Sequence, residues 1–508
     1  MAEPISNNKR IAKNTALLYF RQILIMLVSL YTVRVILKVL GVEDYGIYNV
    51  VGGIVTMFSF LSGTMASASQ RYFAYDLGRK DYDSLSKTFS LTFLSYIGIA
   101  AFIFLICEIG GVWFVNNKMT IPPERLSAAI WTLQAALLSF VLTIMTLPYK
   151  AIIIARERMD AYAYISVIEV VLQLLVVFVL QWLNFDKLKT YAVLTVCSTA
   201  FVTFSYRLFC KKHFKESHFK YYWNWARLKD ILSYAGWNMI GAMAGIFRNQ
   251  GVNILLNIFF NPVINAARGV SYQVQGAVNS LVTNLYTSSR PQITKYYAEN
   301  EIEKMWKLVF STAKVAFYFM MLISILLSVQ VEFILGIWIG DYPEYLPLFL
   351  KLTLLTFLIE TSCNQLISVL QASKKIIRLQ LSSSIIQLLN LPIAYIFLKL
   401  GYPPQTPFVV SVALSIIYVA SVIFIVRLEM GLSIKKYTNI ILRMTLSTIV
   451  IYTIVDKISK LLPVGFIQFG VSILTLGVVG FFAIWIIGLE SNEKNAIKSI
   501  VRRTFKIK

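Results

Sequence analysis

Residues Gly245–Ala298 read GIFRNQGVNILLNIFFNPVINAARGVSYQVQGAVNSLVTNLYTSSRPQITKYYA. Two segments of this stretch are apolar enough to cross a bilayer, yet both carry arginine and amide side chains. A guanidinium at membrane depth costs roughly 2.5–3.5 kcal/mol on insertion scales, so it usually faces a protein interior or an aqueous cavity. The stretch therefore indicates a membrane-embedded helical protein that uses cationic groups on an anionic molecule.

The composition of the 508-residue chain excludes an ordinary soluble domain, because 57% of its residues are hydrophobic and only 14% are charged. About fourteen apolar segments, each of about 20 residues, recur between Asn14 and Glu490 and predict an all-α integral membrane protein. The apolar run after the basic N-terminus is too long for a cleaved signal peptide and predicts an anchor. The cysteines and histidines have no spacing typical of a disulfide framework or metal site, so no metal or cofactor is expected.

The net charge of +23 follows membrane topology and does not predict a nucleic-acid partner. With an even number of spans, most basic loops fall on the same side as the N-terminus, together with the tail Lys494–Lys508. Acidic residues such as Asp44 and Asp186 dilute the basic residues on the other side. We therefore expect both termini in the cytoplasm and attraction of anionic membrane lipids to the basic side.

The two halves of the chain resemble one another. Tyr45–Arg71 and Ala266–Arg290 are both spans rich in small residues that end in arginine, and each leads into a charged amphipathic connector. An even number of spans per repeat predicts parallel repeats with the substrate site between them. The predicted organisation is an N-terminal six-helix bundle at 1–208, a cytoplasmic connector at 209–230, a C-terminal six-helix bundle at 231–430, two additional helices at 431–490 and a basic cytoplasmic tail at 491–508.

Polar side chains form stripes along three of the predicted spans. At about 100° per residue, the polar residues of 264–288 fall within roughly 80° of arc. The span 231–259 carries a second stripe with Arg248 beside it, and the first span carries a third. The members that we consider as substrate-binding candidates are Arg21, Arg248, Arg268, Asn249, Asn253, Asn257, Tyr272, Gln275 and Asn279.

Two interpretations of these stripes remain open. The amides and hydroxyls either bond neighbouring helices, at about 0.6 kcal/mol per contact, or contact a substrate. A guanidinium has five donors and no acceptor, and a phosphate or diphosphate accepts from it bidentately, which favours anion binding for the arginines. Arg34 points away from its stripe and is predicted to snorkel to the headgroups. Arg290, beside Pro291, is predicted to be a gate or topology residue.

Intramembrane carboxylates are fewer. Glu169 and Glu360 either bind a coupling cation, H⁺ or Na⁺, or pair with an intramembrane lysine such as Lys314. Features of an enzyme are weak: the sequence contains no phosphate-binding GxxxxGK[ST] loop and no Ser/His nucleophile pair. The D-x-D sequence that begins at Asp81 is predicted to open a helix. We therefore expect a protein that is not an enzyme.

Two blocks of the sequence carry a family resemblance. Residues 8–54, with G-x-x-D-Y-G-x-Y at 41–48, and residues 257–298 are similar to the bacterial polysaccharide (O-antigen type) flippases of the multidrug/oligosaccharidyl-lipid/polysaccharide exporter superfamily. The family often has glycine where Asn261 stands. The resemblance implies two six-helix bundles around a V-shaped central cavity. It also implies a location in the bacterial cytoplasmic (inner) membrane.

For function, the resemblance implies that an undecaprenyl-diphosphate-linked oligosaccharide passes from the inner to the outer leaflet by alternating access, for O-antigen or capsule assembly. Polymerase and chain-length proteins are then expected partners. In related lipid II flippases, cationic residues of the first, second, seventh and eighth spans line the cavity. This implies a substrate role for Arg21, Arg248 and Arg268, with neighbouring amides for the sugars. The two additional helices are implied to hold the polyprenyl tail.

Two other functions remain as alternatives. A cation-coupled multidrug exporter of the same superfamily requires an anionic cavity, whereas the stripes here carry arginines. A membrane glycosyltransferase, polymerase or ligase acting on the same lipid carrier generally requires a sizeable outer loop or catalytic domain, and the sequence has neither.

Overall fold

The computed structural model describes residues 3–156, 158–373, 377–491 and 493–495. Every regular element in these ranges is helical, which confirms the predicted all-α class. The α-helices are α1 Glu3–Thr56, α2 Ser59–Gly78, α3 Tyr82–Ile106, α4 Val112–Lys118, α5 Leu126–Ala155, α6 Met159–Trp182, α7 Lys187–His213, α8 Trp225–Phe259, α9 Pro262–Ala298, α10 Ile302–Val329, α11 Val331–Trp338, α12 Leu346–Thr361, α13 Asn364–Ala372, α14 Ile377–Lys399, α15 Thr406–Met430, α16 Ile434–Lys460 and α17 Phe466–Ala483. Short π-helical segments at Cys107–Gly111 and Ile484–Gly488 extend α3 and α17.

Eleven helical stretches of the described chain are long and apolar enough to cross a membrane, as expected for a multi-pass membrane protein. Those eleven do not include α8 and α9, although these helices are 35 and 37 residues long. Their asparagine, glutamine and arginine residues lower the mean hydropathy of each helix. The polar stripes that suggest a site are therefore also the reason why a criterion based on mean hydropathy does not select these two helices.

Two of the predicted spans are interrupted. α1 consists of two helices joined at Gly41, whose φ of 79° lies in the left-handed region that favours glycine. A turn at 57–58 separates α1 from α2 and interrupts the predicted span Tyr45–Arg71. Another of the fourteen apolar segments, which the sequence places at 346–370, is interrupted between α12 and α13, where the Ser362 hydroxyl donates to the Ile359 carbonyl (2.7 Å). Such side-chain bonds compete with the helical ladder and bend the helix.

The described residues group into two compact units. Unit 1 lies within Met1–Val270 and Gln387–Pro404, and unit 2 within Ser271–Ile386 and Gln405–Lys508. In unit 1, α5 packs along α7, α1 along α6, and α2 along α8. In unit 2, α12 packs against α10 and α15, while α16 packs against α17. The boundaries of the two predicted six-helix bundles stay a prediction.

The connector between α7 and α8 is shorter than predicted, because α7 continues to His213 and α8 begins at Trp225. Its buried Glu216 forms an ion pair with Arg156 at the end of α5. At the start of α8, the Arg227 guanidinium donates to the carboxylate of Asp76 in α2, with N···O distances of 2.7 and 3.0 Å. Both ends of the connector are therefore fixed to unit 1.

Candidate functional site

Two glycines allow α1 and α9 to approach each other closely. A Cβ on Gly46 would lie 1.8 Å from the Pro262 carbonyl oxygen, and one on Gly269 would lie 2.9 Å from side-chain atoms of Asn49. A Cβ at Gly46 would therefore have to displace the α9 backbone, whereas one at Gly269 would have to displace the Asn49 side chain. Asn261, where related flippases often have glycine, accepts a hydrogen bond from the Ile264 backbone N–H (3.2 Å) and caps α9. The two sequence blocks that carry the family resemblance therefore meet in space.

Buried amides join α8 to its neighbours. The Asn265 amide donates to the backbone and side-chain oxygens of Asn253 at 2.6 and 2.8 Å, and the Asn253 amide donates to the Asn49 carbonyl at 3.1 Å. Asn257, which is fully buried, accepts from the Thr120 N–H (3.0 Å) and donates to its carbonyl (3.4 Å). Asn253 therefore bonds two neighbouring helices, which is one of the two sequence interpretations, while Asn257 bonds the loop that follows α4. Their contact with sugar stays a prediction.

Arg268 lies at the same helix pair and is only 4% exposed. Its Nη2 donates to the Asn249 backbone oxygen (2.6 Å) and also to the Asn249 side-chain oxygen. Arg248, the preceding residue of α8, is half-buried. The structure thus brings two of the predicted candidates, Arg268 and Asn249, into contact between α8 and α9.

The C-terminal part of the α9 stripe, which follows Val270, belongs to unit 2. Tyr272, Gln275 and Asn279 are half-buried there. The Asn279 side-chain oxygen accepts from the hydroxyl of Thr283 at 3.1 Å, and the Tyr272 ring lies 6.4 Å from the ring of Phe408.

Three other arginines were singled out in the sequence. Arg21 and Arg34 belong to the first span, and Arg290 lies at the inner end of the α9 stripe. Arg34 is exposed on α1. The side chains of Arg21 and Arg290 lie outside the described residues.

The carboxylates occupy two kinds of environment. Glu108 accepts hydrogen bonds from the Gln134 amide at 2.8 Å to each oxygen. Glu169 and Glu360 are half-buried on α6 and α12, and their role in ion coupling stays a prediction.

The pairing considered for Lys314 with Glu169 or Glu360 is wrong. Instead, Lys314 Nζ lies 2.9 Å from both carboxylate oxygens of Glu493 and 3.6 Å from Glu490. Both partners belong to the C-terminal segment, which follows the last helix and had no feature in the sequence that indicated this contact.

A three-residue ion cluster in unit 1 was missed because its members were interpreted as topology charges. Arg125 donates to Asp44 (2.7 Å from Nε) and to Asp186 (2.7 Å from Nη1). Burial favours a raised pKa for Asp186, but the Lys189 backbone N–H and the Arg125 guanidinium together hold this pKa below its ordinary value of 3.8. Arg125 is 81 residues from Asp44 and 61 from Asp186, so no local pattern marks the cluster.

Comparison with known sequences gives one distant relative. No protein-family model matches the sequence. The chain is 20% identical over 326 residues to the uncharacterized membrane protein EpsK of Bacillus subtilis (strain 168). The match covers 63% of each protein, so the chain spans less than two thirds of that relative's length.

Comparison with solved structures shows the fold. A lipid II flippase MurJ in an inward closed conformation matches with a TM-score of 0.71 at 14% identity, covering 98% of this chain and 100% of that one. An inward-facing multidrug resistance MATE family transporter of the MOP superfamily matches with a TM-score of 0.60 at 15% identity, covering 78% and 92%. The MATE multidrug transporter DinF-BH matches with a TM-score of 0.59 at 14% identity, covering 85% and 98%. The chain therefore has the fold of MOP-superfamily flippases and transporters.

Proposed function

We propose that this chain is a flippase that moves an undecaprenyl-diphosphate-linked oligosaccharide from the inner to the outer leaflet of the bacterial cytoplasmic membrane. Transport would occur by alternating access and would serve assembly of a cell-surface polysaccharide such as O-antigen or capsule. Both termini would lie in the cytoplasm. The observation that carries the proposal is the burial of Arg268 at its contact with Asn249, between α8 and α9.

The contact that Arg268 makes suits reversible anion binding. Its Nη2 donates to oxygens of Asn249, which carry no net charge, whereas a phosphate group is anionic and accepts from a guanidinium bidentately. A diphosphate that reached this guanidinium would therefore replace the amide oxygens favourably. Release requires that each open state hold the substrate only moderately, and return of Arg268 to Asn249 would offset part of the lost phosphate contact.

The extent of the structural similarity supports a lipid-linked substrate. The match to the lipid II flippase covers 98% of the chain, so it has to include most of α16 and α17. The multidrug transporter matches cover 78% and 85% and leave room to omit them. We assign these two helices to the polyprenyl tail, the amides of α8 and α9 to the sugars, and Glu169 or Glu360 to a coupling cation.

The proposal is tested with purified protein in proteoliposomes that contain a fluorescent undecaprenyl-diphosphate oligosaccharide. Leaflet transfer is followed by quenching the outer fluorophores with a membrane-impermeant reductant. Arg268→Ala is expected to slow transfer at least about tenfold, because a hydrogen bond to a charged group contributes roughly 1.5–3 kcal/mol. Arg268→Lys, which keeps the charge, is expected to retain part of the rate. The matched control is Arg34→Ala, which removes an exposed arginine from α1.

Wild-type transfer by Arg268→Ala, at equal protein incorporation, would contradict the role of this residue. The multidrug alternative shares the fold and is distinguished in the same vesicles with a cationic dye. Dye transport that survives Arg268→Ala but is lost in Glu360→Gln, without oligosaccharide transfer by the wild type, would replace the flippase function with multidrug export.

A further inference from the structure

Unit 2 contains a cavity of about 650 Å³ where three chain segments meet. Its lining comes from the first turns of α10, from the first turn of α16 with the residues before it, and from the C-terminal segment at Glu490 and Glu493. Small-molecule sites typically occupy about 300–1,000 Å³. The cavity therefore has room for a polar group together with part of an apolar chain.

The walls of the cavity combine cationic and aromatic side chains. Lys307 of α10 and Lys436 of α16 line it and are exposed. The rings of Trp306 and Phe310 stack at 5.6 Å between centroids, and Lys436 Nζ lies 5.3 Å from the Phe310 ring. The apolar Ile440 continues the wall along α16.

Most of the acidic charge in the cavity is already paired. Glu490 and Glu493 contact the buried Lys314. Lys304 pairs with Glu301, which does not line the cavity, at 2.7 Å. Among the described residues, the lining carboxylate Glu303 makes no ion pair, and neither does Lys307 or Lys436. The cavity therefore has two ammonium groups without an ion pair, against one such carboxylate.

The position of the cavity relative to the bilayer follows from the charge bias of the loops. The basic residues at the start of α10 and α16 belong to the predicted cytoplasmic side, and the C-terminal segment ends on that same side. Tryptophan is enriched at the level of the lipid headgroups, where Trp306 would then lie. Basic pockets between transmembrane helices on this side bind phosphate-bearing headgroups.

We propose that this cavity binds the phosphate headgroup of an anionic phospholipid from the cytoplasmic leaflet. Lys307 and Lys436 would contact the phosphate, since lysine binds phosphate as a point charge, and Trp306, Phe310 and Ile440 would contact the glycerol and the start of the acyl chains. The apolar wall favours a lipid over free phosphate. The site lies within unit 2, does not involve Arg268, and does not depend on the proposed transport function.

The test uses the purified full-length chain, titrated with dioleoyl phosphatidylglycerol and monitored by native mass spectrometry. The double variant Lys307→Gln/Lys436→Gln is expected to weaken phosphatidylglycerol binding about 25-fold, at about fivefold per lysine. The matched control is Lys211→Gln/Lys212→Gln, which removes two exposed lysines of α7 from the predicted cytoplasmic side that do not line the cavity. The control is expected to change binding less than about twofold, since headgroup attraction falls off within a Debye length.

Two parallel titrations identify the ligand. Phosphatidylcholine is expected to bind more weakly than phosphatidylglycerol, and inorganic phosphate at equal concentration is expected not to displace it. Equal weakening by both double variants, equal affinity for phosphatidylcholine, or displacement by equimolar phosphate would each overturn the proposal. Oligosaccharide transfer is measured separately, so loss of lipid binding with normal transfer, or the reverse, tells the two proposals apart.

Discussion

Arg268 and Lys314 are both 4% exposed, yet they are held in different ways. Arg268 donates to the backbone and side-chain oxygens of Asn249, whereas Lys314 contacts the carboxylates of Glu490 and Glu493. The Asn249 amide accepts hydrogen bonds from Arg268 without adding negative charge beside it, whereas Glu490 and Glu493 bring negative charge to Lys314. The comparison teaches that the contact of Lys314 is a structural ion pair, while the Asn249 contact adds no charge that would compete with an anionic ligand.

Two closely packed glycines give the largest expected effects. Gly46→Ala would place a methyl group 1.8 Å from the carbonyl oxygen of Pro262, at the start of the helix that carries Arg268. Gly488→Ala would place one 2.3 Å from the hydroxyl of Tyr318, on the helix that carries Lys314. We expect Gly46→Ala to lower the free energy of unfolding by about 3 kcal/mol and Gly488→Ala by about 1–2 kcal/mol, because a side chain yields more readily than backbone.

Thermal denaturation of the detergent-solubilised protein, followed by gel filtration, measures this order. Gly52→Ala is the control, since a Cβ there meets nothing within 4 Å. Equal losses at Gly46 and Gly488 would show that α1 and α9 approach each other less rigidly than the contact implies.

Replacing Lys314 tests the structural tie directly. Lys314→Met leaves the two carboxylates without their cation, and breaking a buried pair typically costs about 3–5 kcal/mol. We expect the lower end, about 3 kcal/mol, because the side chains of Glu490 and Glu493 are 36% and 25% exposed. Lys314→Met/Glu493→Leu is expected to recover part of the loss. Lys304→Met, on the same helix but exposed, serves as control, and an equal effect there would refute the distinction.

Replacing Asn249 with aspartate should have the smallest effect on stability. Stability is expected to rise, whereas oligosaccharide transfer is expected to fall. Asn249→Asp is nearly isosteric and offers Arg268 a carboxylate. We expect stability to rise by about 1 kcal/mol, from a stronger charge-assisted bond, while oligosaccharide transfer falls about tenfold because the carboxylate competes with the diphosphate. Asn253→Asp is the comparison variant on the same helix. Unchanged transfer by Asn249→Asp, in the same proteoliposomes, would separate Arg268 from the substrate.

The sequence was sufficient for the fold class and for choosing Arg268 and Asn249 as polar candidates, although it did not predict their contact. Both depend on short-range patterns: apolar runs of membrane length, and polar side chains repeating along α8 and α9, which follow one another in the chain. Lys314 and Glu493 are 179 residues apart, and Arg125 is 81 residues from Asp44. No periodicity encodes such distant pairs, because they depend on which helix ends come together.

Interruptions of helices were equally hidden. Gly41 could be recognised as part of a motif, but not as the point where α1 changes direction, because glycine is also common inside membrane helices. The break at Ser362 coincides with a local hydroxyl–carbonyl bond, but serine makes such bonds inside uninterrupted helices as well, so the residue type does not mark the break. The burial of Asn257 likewise required the position of Thr120, which lies 137 residues earlier.

The fixed connector between α7 and α8 has a mechanical consequence. Its Glu216 is tied to Arg156, and Arg227, just beyond its other end, is tied to Asp76. A connector held by ion pairs near both ends cannot lengthen freely when α8 is displaced. A shift of the first turn of α8 relative to α2 therefore requires that the Arg227–Asp76 pair break. Otherwise α2 has to move together with α8.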